Sequence, residues 1–331
     1  ILDSLALAGV EERVHIPVHI LRKLYPLLDN AKWKITVSLA WNGENWEMLE
    51  IEEGDTTAQH YGLAVDLGST TVVARLLDCN SGEILKEVSC FNKQIQWGTD
   101  ILSRIFYCKD NREKLEEVRR ATVESICECM DKLDASHSAL SMVIAGNTTM
   151  IHFLLGMDAF CVFYTPHAVH ADRPGFQLAR DLDIPLKGYV YCYPAKSNYL
   201  GGDIISGMID TELYKKNEIS VFFDIGTNGE LVIGNKEFLL CGAGAAGPAL
   251  EGGVVRTGMR ADVGAVDEVK IRDGNIFVHV IGNSAPQGIC GSGIIDLIAE
   301  LFLEGWIDIR GKLSPEKSPL IQERDNQLCV E

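Results

Sequence analysis

Tyr61–Thr71 reads YGLAVDLGSTT, and this stretch decides the fold class. Its first half is a run of apolar residues that ends at Asp66 and Gly68, and a β-branched segment begins at Val72. The pattern predicts a buried strand, a tight turn and a returning strand. A further turn precedes Ile84–Phe91, so the region predicts three strands joined by tight turns.

The first turn has the residue types that bind a polyphosphate. Gly68 lets the main-chain N–H groups approach a phosphate closely, because glycine has no Cβ. The hydroxyls of Ser69, Thr70 and Thr71 add further donors. Asp66, at the end of the strand, can hold Mg²⁺, usually through the water molecules that this ion keeps. Taken alone, the same pattern also fits an ordinary hairpin.

A second copy of the pattern favours the nucleotide interpretation. Ile219–Ile233 is again a strand, an acidic-glycine turn and a strand. Asp224 corresponds to the first aspartate and predicts a second metal-holding carboxylate, and Gly226, Thr227 and Asn228 form its turn. Two such turns that face each other would clamp one polyphosphate and share its metal ion. The recurrence predicts two related halves, each with one turn.

Two other glycine-rich stretches are less specific. Residues 242–247 contain G-x-G-x-x-G but lack the strand-to-helix start that a dinucleotide fold needs. Gly288–Gly293 directly precedes the apolar helix predicted over Ile294–Leu303. At the start of this helix, Gly291 and Ser292 can offer N–H groups to a nucleotide. Close helix packing is the alternative explanation of these glycines. The sequence has no G-x-x-x-x-G-K-[ST] phosphate loop.

The remaining segments predict three domains. Before the first turn, helical spacing over Val14–Leu28 is broken by two prolines, and Trp33–Leu39 and Trp46–Ile51 form a hairpin. Between the two turns, the sequence predicts five elements in order. They are a long polar helix (Arg112–Leu133), a short strand (Ser141–Ala145), a capped helix (146–155), an irregular proline-rich region (166–194) and a last helix (201–214). The predicted boundaries are 1–57, 58–216 and 217–331.

Composition restricts the partners and the compartment. The chain of 331 residues has a net charge of −17, which disfavours nucleic acid and anionic membranes, because both need a basic surface. It has no apolar run of the roughly 20 residues that a membrane helix needs. Its 10 cysteines include no C-x-x-C pair, which predicts mostly buried free thiols in a reducing cytoplasm.

Longer motifs narrow the family. The two turns resemble the phosphate motifs of the actin, sugar kinase and DnaK-type chaperone superfamily. Together with Val143–Met150, Asp224–Glu230, 245–252 and Gly288–Asp296, they look like those of ATP-dependent reductive activators of corrinoid proteins. The resemblance covers about residues 60–315. It implies an α/β fold with two related ribonuclease-H-like lobes of the actin-like ATPase type, preceded by a small α+β linker and middle domain.

The resemblance also implies an activity. Such activators are ATPases that couple ATP to the reduction of an inactive Co(II) corrinoid protein to Co(I). The implied partners are a corrinoid methyl-carrier protein and an electron donor such as ferredoxin or flavodoxin, with a homodimer possible by analogy. Nucleotide-dependent docking can favour the state that is easier to reduce, by no more than the ligand's differential affinity for the two states.

Roles carry over residue by residue from the same resemblance. The resemblance implies two phosphate motifs and a connecting segment near the γ-phosphate. They comprise Asp66, Gly68, Ser69, Thr70 and Thr71; Asp224, Gly226, Thr227 and Asn228; and Gly146, Asn147 and Thr148. Asp203 or Glu230 would orient the attacking water, although either can instead cap a helix or face solvent. ATP and Mg²⁺ are the implied cofactors.

The sequence departs from the family pattern at both ends. Family members carry an N-terminal [2Fe–2S] domain with C-x₄-C-x₂-C spacing, which this sequence lacks. We therefore expect the cluster on an N-terminal domain that is missing from this chain. Nothing after Leu313 resembles the family's adenosine motif, so the second lobe is expected to be truncated.

Three alternatives remain open at this point. A small-molecule kinase of the same superfamily would share both turns. An activator of 2-hydroxyacyl-CoA dehydratases would need two interface cysteines for a bridging [4Fe–4S] cluster, for which Cys127 and Cys129 are poorly spaced. A non-enzymatic nucleotide sensor would bind ATP without corrinoid-dependent turnover.

Overall fold

A computed structural model describes residues 1–10, 12–98, 100–135, 139–197, 200–226, 228–244, 256–324 and 326–330. The chain divides into two compact units: Ile1–Phe222 with Glu230–Gly242, and Phe223–Gly229 with Ala243–Glu331.

The helices are α1 (Leu2–Leu7), α2 (Val18–Asn30), α3 (Ile101–Cys108), α4 (Arg112–Leu133), α5 (Thr148–Leu154), α6 (Gly202–Thr211) and α7 (Gly291–Leu303). The strands are β1 (Val14–His15), β2 (Ile35–Trp41), β3 (Trp46–Glu53), β4 (Tyr61–Leu67), β5 (Thr71–Asp78), β6 (Ile84–Phe91), β7 (Ala139–Gly146), β8 (Gly175–Leu178), β9 (Tyr189–Cys192), β10 (Ser220–Ile225), β11 (Gly229–Gly234), β12 (Leu239–Gly244), β13 (Ala265–Arg272), β14 (Asn275–Val280), β15 (Gly288–Ile289), β16 (Ile321–Arg324) and β17 (Gln327–Val330).

The N-terminal segment is a small α+β element. Its sheet has the order β1-β3-β2, and α2 packs its apolar face on it around Ile20, Met48 and Ile51. The predicted hairpin is confirmed, but Pro26 does not break the helix as the sequence pattern predicted. Pro17 stands at the N-cap of α2 and Pro26 lies inside it, because the buried face outweighs the one hydrogen bond that a proline removes.

A six-stranded sheet is the centre of the first unit. Its order is β6-β5-β4-β7-β9-β8, with β4, β7 and β9 parallel to one another and the remaining pairs antiparallel. The long helix α4 covers β5 and β6 and buries Ile126 and Met130 in the core. The prediction that residues 166–194 are irregular is wrong in part, because the four-residue strands β8 and β9 lie there.

The second strand–turn–strand pattern forms β10 and β11, which share a three-stranded sheet with β12. In the second unit, β13 pairs with β14 and β15, and α7 packs on β13. Leu301 and Trp306 lie in the core of this unit. The apolar helix predicted after Gly288–Gly293 is therefore confirmed as α7, and it begins at Gly291.

All ten cysteines are free thiols. Five are buried, three are half-buried, and Cys79 and Cys241 are exposed, so burial is less general than the composition predicted. Within the part of the chain that the structure describes, no helix is long and apolar enough to cross a membrane.

Glu50 ties the N-terminal sheet to the six-stranded sheet region. Its carboxylate, on β3, contacts Lys23 and lies 2.7 Å from Lys187 Nζ. Burial opposes ionisation and is the largest single influence on the pKa of Glu50. The hydrogen bonds from Lys187, Lys23 and the Ile51 N–H together outweigh it and lower the pKa from 4.5 to about 2.

We therefore expect Glu50→Gln to lower the free energy of unfolding of the first unit by about 2 kcal/mol at pH 7. The folded-state pKa lies below the unfolded one, so this contribution is complete above pH 4.5 and disappears as the pH falls towards 2. Denaturant titrations at several pH values measure the difference. Glu53→Gln, on the exposed end of the same strand, is the matched control. An equal loss for both variants at pH 7, or a difference that does not shrink with acid, would refute this role.

Candidate functional site

The carboxyl ends of the central strands β4 and β7 lie at the same end of the six-stranded sheet, and we call this end the carboxyl edge. The two strands are parallel, and Asp66 pairs with Ala145 and Leu67 with Gly146. Since parallel strands end at the same edge, the first turn and the segment after β7 lie side by side. Ligands of open α/β sheets characteristically bind at such carboxyl ends.

The first turn is tight, and it exposes a carboxylate and a hydroxyl. A Cβ on Gly68 would lie 2.4 Å from the Thr71 carbonyl oxygen, so glycine is needed where the chain reverses. Asp66 and Thr71 are exposed, Thr70 is half-buried and Ser69 is buried. The oxygen atoms of Asp66 and the hydroxyls suit Mg²⁺ and a phosphate chain, because Mg²⁺ prefers oxygen ligands.

The start of α6 lies against the segment after β7. A Cβ on Gly201 would lie 2.4 Å from Asn147 Cα and 2.5 Å from the Gly146 carbonyl oxygen. A Cβ on Gly146 would lie 2.7 Å from the Leu67 carbonyl oxygen. Glycines thus bring three main-chain segments together at this edge: the end of β4, the end of β7 and the start of α6.

The side chains of Asn147 and Thr148 are used within the fold. Asn147 Oδ1 accepts a 3.0 Å hydrogen bond from the Met150 N–H and caps α5. The Thr148 hydroxyl, which is buried, donates to the Ser197 carbonyl at 2.5 Å. A phosphate at this edge would therefore meet the main chain of Gly146–Thr148 rather than these two polar side chains.

The two candidates for orienting water differ in exposure. Asp203 is half-buried in the first turn of α6, and its Oδ1 accepts a 2.8 Å hydrogen bond from the Ile204 N–H. It follows Gly201 closely, so it lies near the edge where β4 and β7 end. Glu230, on β11, is buried. Because its side chain is buried, Glu230 does not simply face solvent.

The second turn belongs to the second unit. Asp224 is half-buried at the end of β10, and burial raises the pKa of its carboxyl above the ordinary value. A bound cation would reverse that shift, because an opposite charge favours the ionised form. The Gly226 N–H donates to the Asn228 carbonyl at 2.8 Å and closes the turn. Thr227 lies outside the described residues.

The glycine-rich start of α7 is explained in part by packing. A Cβ on Gly293 would lie 2.3 Å from the Val266 carbonyl oxygen, so this glycine lets the helix approach β13. Gly291 is half-buried and Ser292 is exposed, and they form the first turn of α7. Their predicted contact with the nucleotide stays a prediction. Residues 245–252, which carry another family motif, lie outside the described residues.

Two observations bear on metal and cluster binding. Among the described residues, no group of three or more His, Cys, Asp or Glu side chains could hold a metal ion. A magnesium ion that keeps water and phosphate ligands needs fewer protein ligands than that. Cys129 is fully buried, with its Sγ 3.3 Å from Cys90 Sγ, so it faces the core and cannot bridge a cluster to another subunit.

The sequence interpretation missed Asn92, which lies behind the first turn. Its Nδ2 donates to the Gly68 carbonyl at 2.9 Å, and its side chain is fully buried. The available signal was an asparagine directly after a predicted strand, which is typical of a cap. It indeed caps the short 3₁₀ helix Lys93–Trp97.

Three family models match consecutive segments of the chain, and all three describe regions of RACo. Residues 1–58 match the RACo linker region, residues 61–216 the RACo middle region, and residues 218–330 the C-terminal domain of RACo, the ASKHA domain. A solved structure named as a reductive activator for a corrinoid iron–sulfur protein is 36% identical. The alignment covers 99% of this chain and 54% of that one, with a TM-score of 0.82.

Curated relatives give a consistent result. The corrinoid activation enzyme RamQ of Eubacterium limosum is 36% identical over 258 residues, which are 76% of this chain and 43% of the relative. A protein of Methanosarcina barkeri, named as a reductase of a Co(II) methylated-amine-specific corrinoid protein, is 24% identical over 222 residues. That alignment covers 63% of this chain and 41% of the relative. The chain thus spans less than half the length of these curated relatives.

Proposed function

This chain belongs to the RACo family, and we propose that it is the nucleotide-dependent part of an enzyme that reduces a Co(II) corrinoid protein to Co(I). The family membership confirms the predicted resemblance to corrinoid-protein activators and the α/β, actin-like fold class. The observation that supports a nucleotide site in this chain is the shared edge of β4 and β7. There the exposed Asp66 and the Gly68–Thr71 turn lie beside Gly146.

In this proposal the chain binds ATP and Mg²⁺ through its two turns. Asp66 and Asp224 would hold the metal ion, and the first turn would donate N–H and hydroxyl groups to phosphate oxygens. Gly226, Thr227 and Asn228 would form the second turn, and the main chain of Gly146–Thr148 would lie near the γ-phosphate. The packing at Gly68 supports a tight first turn, because a Cβ there would lie 2.4 Å from the Thr71 carbonyl oxygen.

Asp203 is the preferred residue to orient the attacking water. It is half-buried and stands at the edge where β4 and β7 end, whereas Glu230 is buried on β11. Glu230 stays a second candidate for the same role. Gly291 and Ser292 would contact the nucleotide from the start of α7, because N–H groups at a helix N-terminus attract anions.

The nucleotide would act through linkage. Reduction adds one electron to Co(II), and ATP changes the equilibrium only if it binds one state of the activator–corrinoid complex more tightly than the other. A ratio of 100 between the two affinities corresponds to about 2.7 kcal/mol, or roughly 120 mV for one electron. Such a shift would allow an ordinary low-potential donor to supply the electron.

The other components belong to the same proposal. The partner would be a corrinoid methyl-carrier protein, and ferredoxin or flavodoxin would donate electrons through a [2Fe–2S] domain outside this chain. A cytoplasmic location, a homodimer, and the domain boundaries 1–57, 58–216 and 217–331 are further parts of it. The acidic net charge of −17 supports the absence of nucleic acid from the partners.

Steady-state ATP hydrolysis by the full-length polypeptide tests this proposal. We expect ATP hydrolysis that requires Mg²⁺ and whose rate changes when a Co(II) corrinoid protein is added. Transfer of the γ-phosphoryl group to a sugar or a short organic acid would instead identify a kinase. If the protein bound ATP but neither hydrolysed it nor responded to the corrinoid protein, it would be a nucleotide sensor.

A further inference from the structure

Asn92 holds the first phosphate turn from its buried side. The residue follows β6 directly and is fully buried. Its Nδ2 donates to the Gly68 carbonyl at 2.9 Å, and its main-chain N–H donates to the Thr70 carbonyl at 2.8 Å. One residue therefore fixes two carbonyl groups of the short Gly68–Thr71 turn.

These two hydrogen bonds determine where the turn presents its donors. The C=O and N–H groups of a trans peptide point in opposite directions, because the peptide unit is planar. The Gly68 carbonyl points towards Asn92, so the Ser69 N–H of the same peptide points away from it. Without that anchor the peptide can rotate and turn a carbonyl oxygen towards the phosphate.

Asn92 is itself held on its other side. Its Oδ1 accepts a 3.0 Å hydrogen bond from the Gln94 N–H. The Gln94 side chain contacts the Thr122 hydroxyl and accepts a 3.0 Å hydrogen bond from Arg104 Nη1. Asn92, Gln94, Thr122 and Arg104 are all fully buried, so the orientation of the asparagine amide is set by a dense polar network.

The same network reaches the segment after β7. Asn92 Nδ2 lies 3.7 Å from Met150 Sδ, and Arg104 Nη1 lies 3.9 Å from the same sulfur. The Met150 N–H is bound by Asn147 Oδ1. Asn92 thus contacts the main chain of the first turn and the side chain of Met150 in α5, the helix that follows β7.

We propose that Asn92 is a positioning residue that aims the N–H groups of the first turn at the phosphates of ATP. The proposal rests on the proposed nucleotide function, because it assigns the residue that prepares that site. Asn92 touches neither nucleotide nor metal in this proposal. It acts through the orientation of the Gly68–Ser69 peptide.

Asn92→Asp tests this role with an isosteric change. The aspartate keeps the Oδ1 cap but replaces the amide donor with an oxygen that repels the Gly68 carbonyl. We expect the KM for MgATP to rise at least about tenfold with kcat changed less than about threefold, because the pre-set donors bind ground state and transition state alike. An unchanged KM in a folded variant would refute the role.

Ser125→Ala is the matched control. Ser125 is fully buried, and its hydroxyl accepts a 2.9 Å hydrogen bond from the N–H of Lys93, the neighbour of Asn92, without touching the turn. We expect a lower melting temperature in this variant and a KM within about twofold of the wild type. A KM increase equal to that of Asn92→Asp would mean that loss of local packing, rather than the amide donor, is responsible, and would overturn the proposal.

Hydrogen exchange of the wild-type, full-length protein gives a test that does not depend on a folded variant. MgATP is expected to slow amide exchange both in the Gly68–Thr71 turn and at Asn92, whose N–H is bound to that turn. Protection of the turn without protection at Asn92 would overturn this inference alone. Protection at neither place, together with no ATP hydrolysis, would overturn the proposed function itself.

Discussion

Replacing Asp66 with alanine is expected to lower kcat/KM for ATP hydrolysis at least about 100-fold, which corresponds to about 2.7 kcal/mol of transition-state stabilisation. The carboxylate is exposed at the end of β4, and no other charged side chain occupies the Gly68–Thr71 turn beside it. Its loss would weaken the hold on Mg²⁺ and leave the phosphate charge poorly compensated. Asp66→Asn, which keeps the shape and removes the charge, should show most of the same loss. Asp224→Ala is expected to have a comparable effect.

Asp78→Ala is the control for this prediction. Asp78 ends β5 and pairs with Tyr61, so it lies at the opposite edge of the same sheet from Asp66. Steady-state kinetics should show less than a twofold change for it, and melting curves of both variants should confirm folding. Hydrolysis at the wild-type rate in folded Asp66→Ala and Asp224→Ala would eliminate the metal assignment.

Gly201→Ala is expected to destabilise the first unit by about 3 kcal/mol, through a clash that the main chain cannot avoid. The new Cβ would lie 2.4 Å from Asn147 Cα and 2.5 Å from the Gly146 carbonyl oxygen, and both atoms belong to the main chain. Relief of this clash requires α6 to move away from the end of β7. Calorimetry should show a melting temperature lower by roughly 6–12 °C, and ATP hydrolysis should fall as well.

Gly242→Ala gives the comparison for this second variant. A Cβ on Gly242 would meet nothing within 4 Å, so the same chemical change occurs in open space. Its melting temperature is expected to stay within about 2 °C of the wild type. If Gly201→Ala melted no lower than Gly242→Ala, the close approach of α6 to the segment after β7 would be disproved.

Local sequence patterns predicted the elements that carry the site. The alternation of apolar residues and turn signals located β4, β5 and β6, and the Gly-Asn-Thr-Thr string located the cap of α5. These predictions succeed because each depends on a few consecutive residues. The recurrence of the acidic-glycine turn was visible in the sequence for the same reason.

Elements that depend on distant partners were missed. The strands β8 and β9 are four residues long and lie among prolines, and they form only because β7 offers its free edge to β9. Pro26 was expected to break a helix, but burial of Ile20 and Leu28 stabilises α2 through it. The part of Asn92 could not be predicted either, because its partners Gly68 and Met150 are 24 and 58 residues away.

The polar residues of the connecting segment show the same limit. The family resemblance implies that they lie near the γ-phosphate, and in the structure Asn147 and Thr148 directly follow β7 and begin α5. In the structure, the Asn147 side chain caps a helix and the Thr148 hydroxyl binds the Ser197 carbonyl. A hydroxyl or amide in a motif can serve the ligand or the fold, and the sequence does not distinguish between these uses.

The direct test of the central proposal is the absorption spectrum of a corrinoid protein during activation. The full-length polypeptide is mixed with Mg²⁺, a low-potential reductant and a corrinoid protein in the Co(II) state, with and without ATP. We predict that the Co(I) band appears only when ATP is present, and that Asp66→Ala abolishes it. Formation of Co(I) at the same rate without ATP would contradict the account.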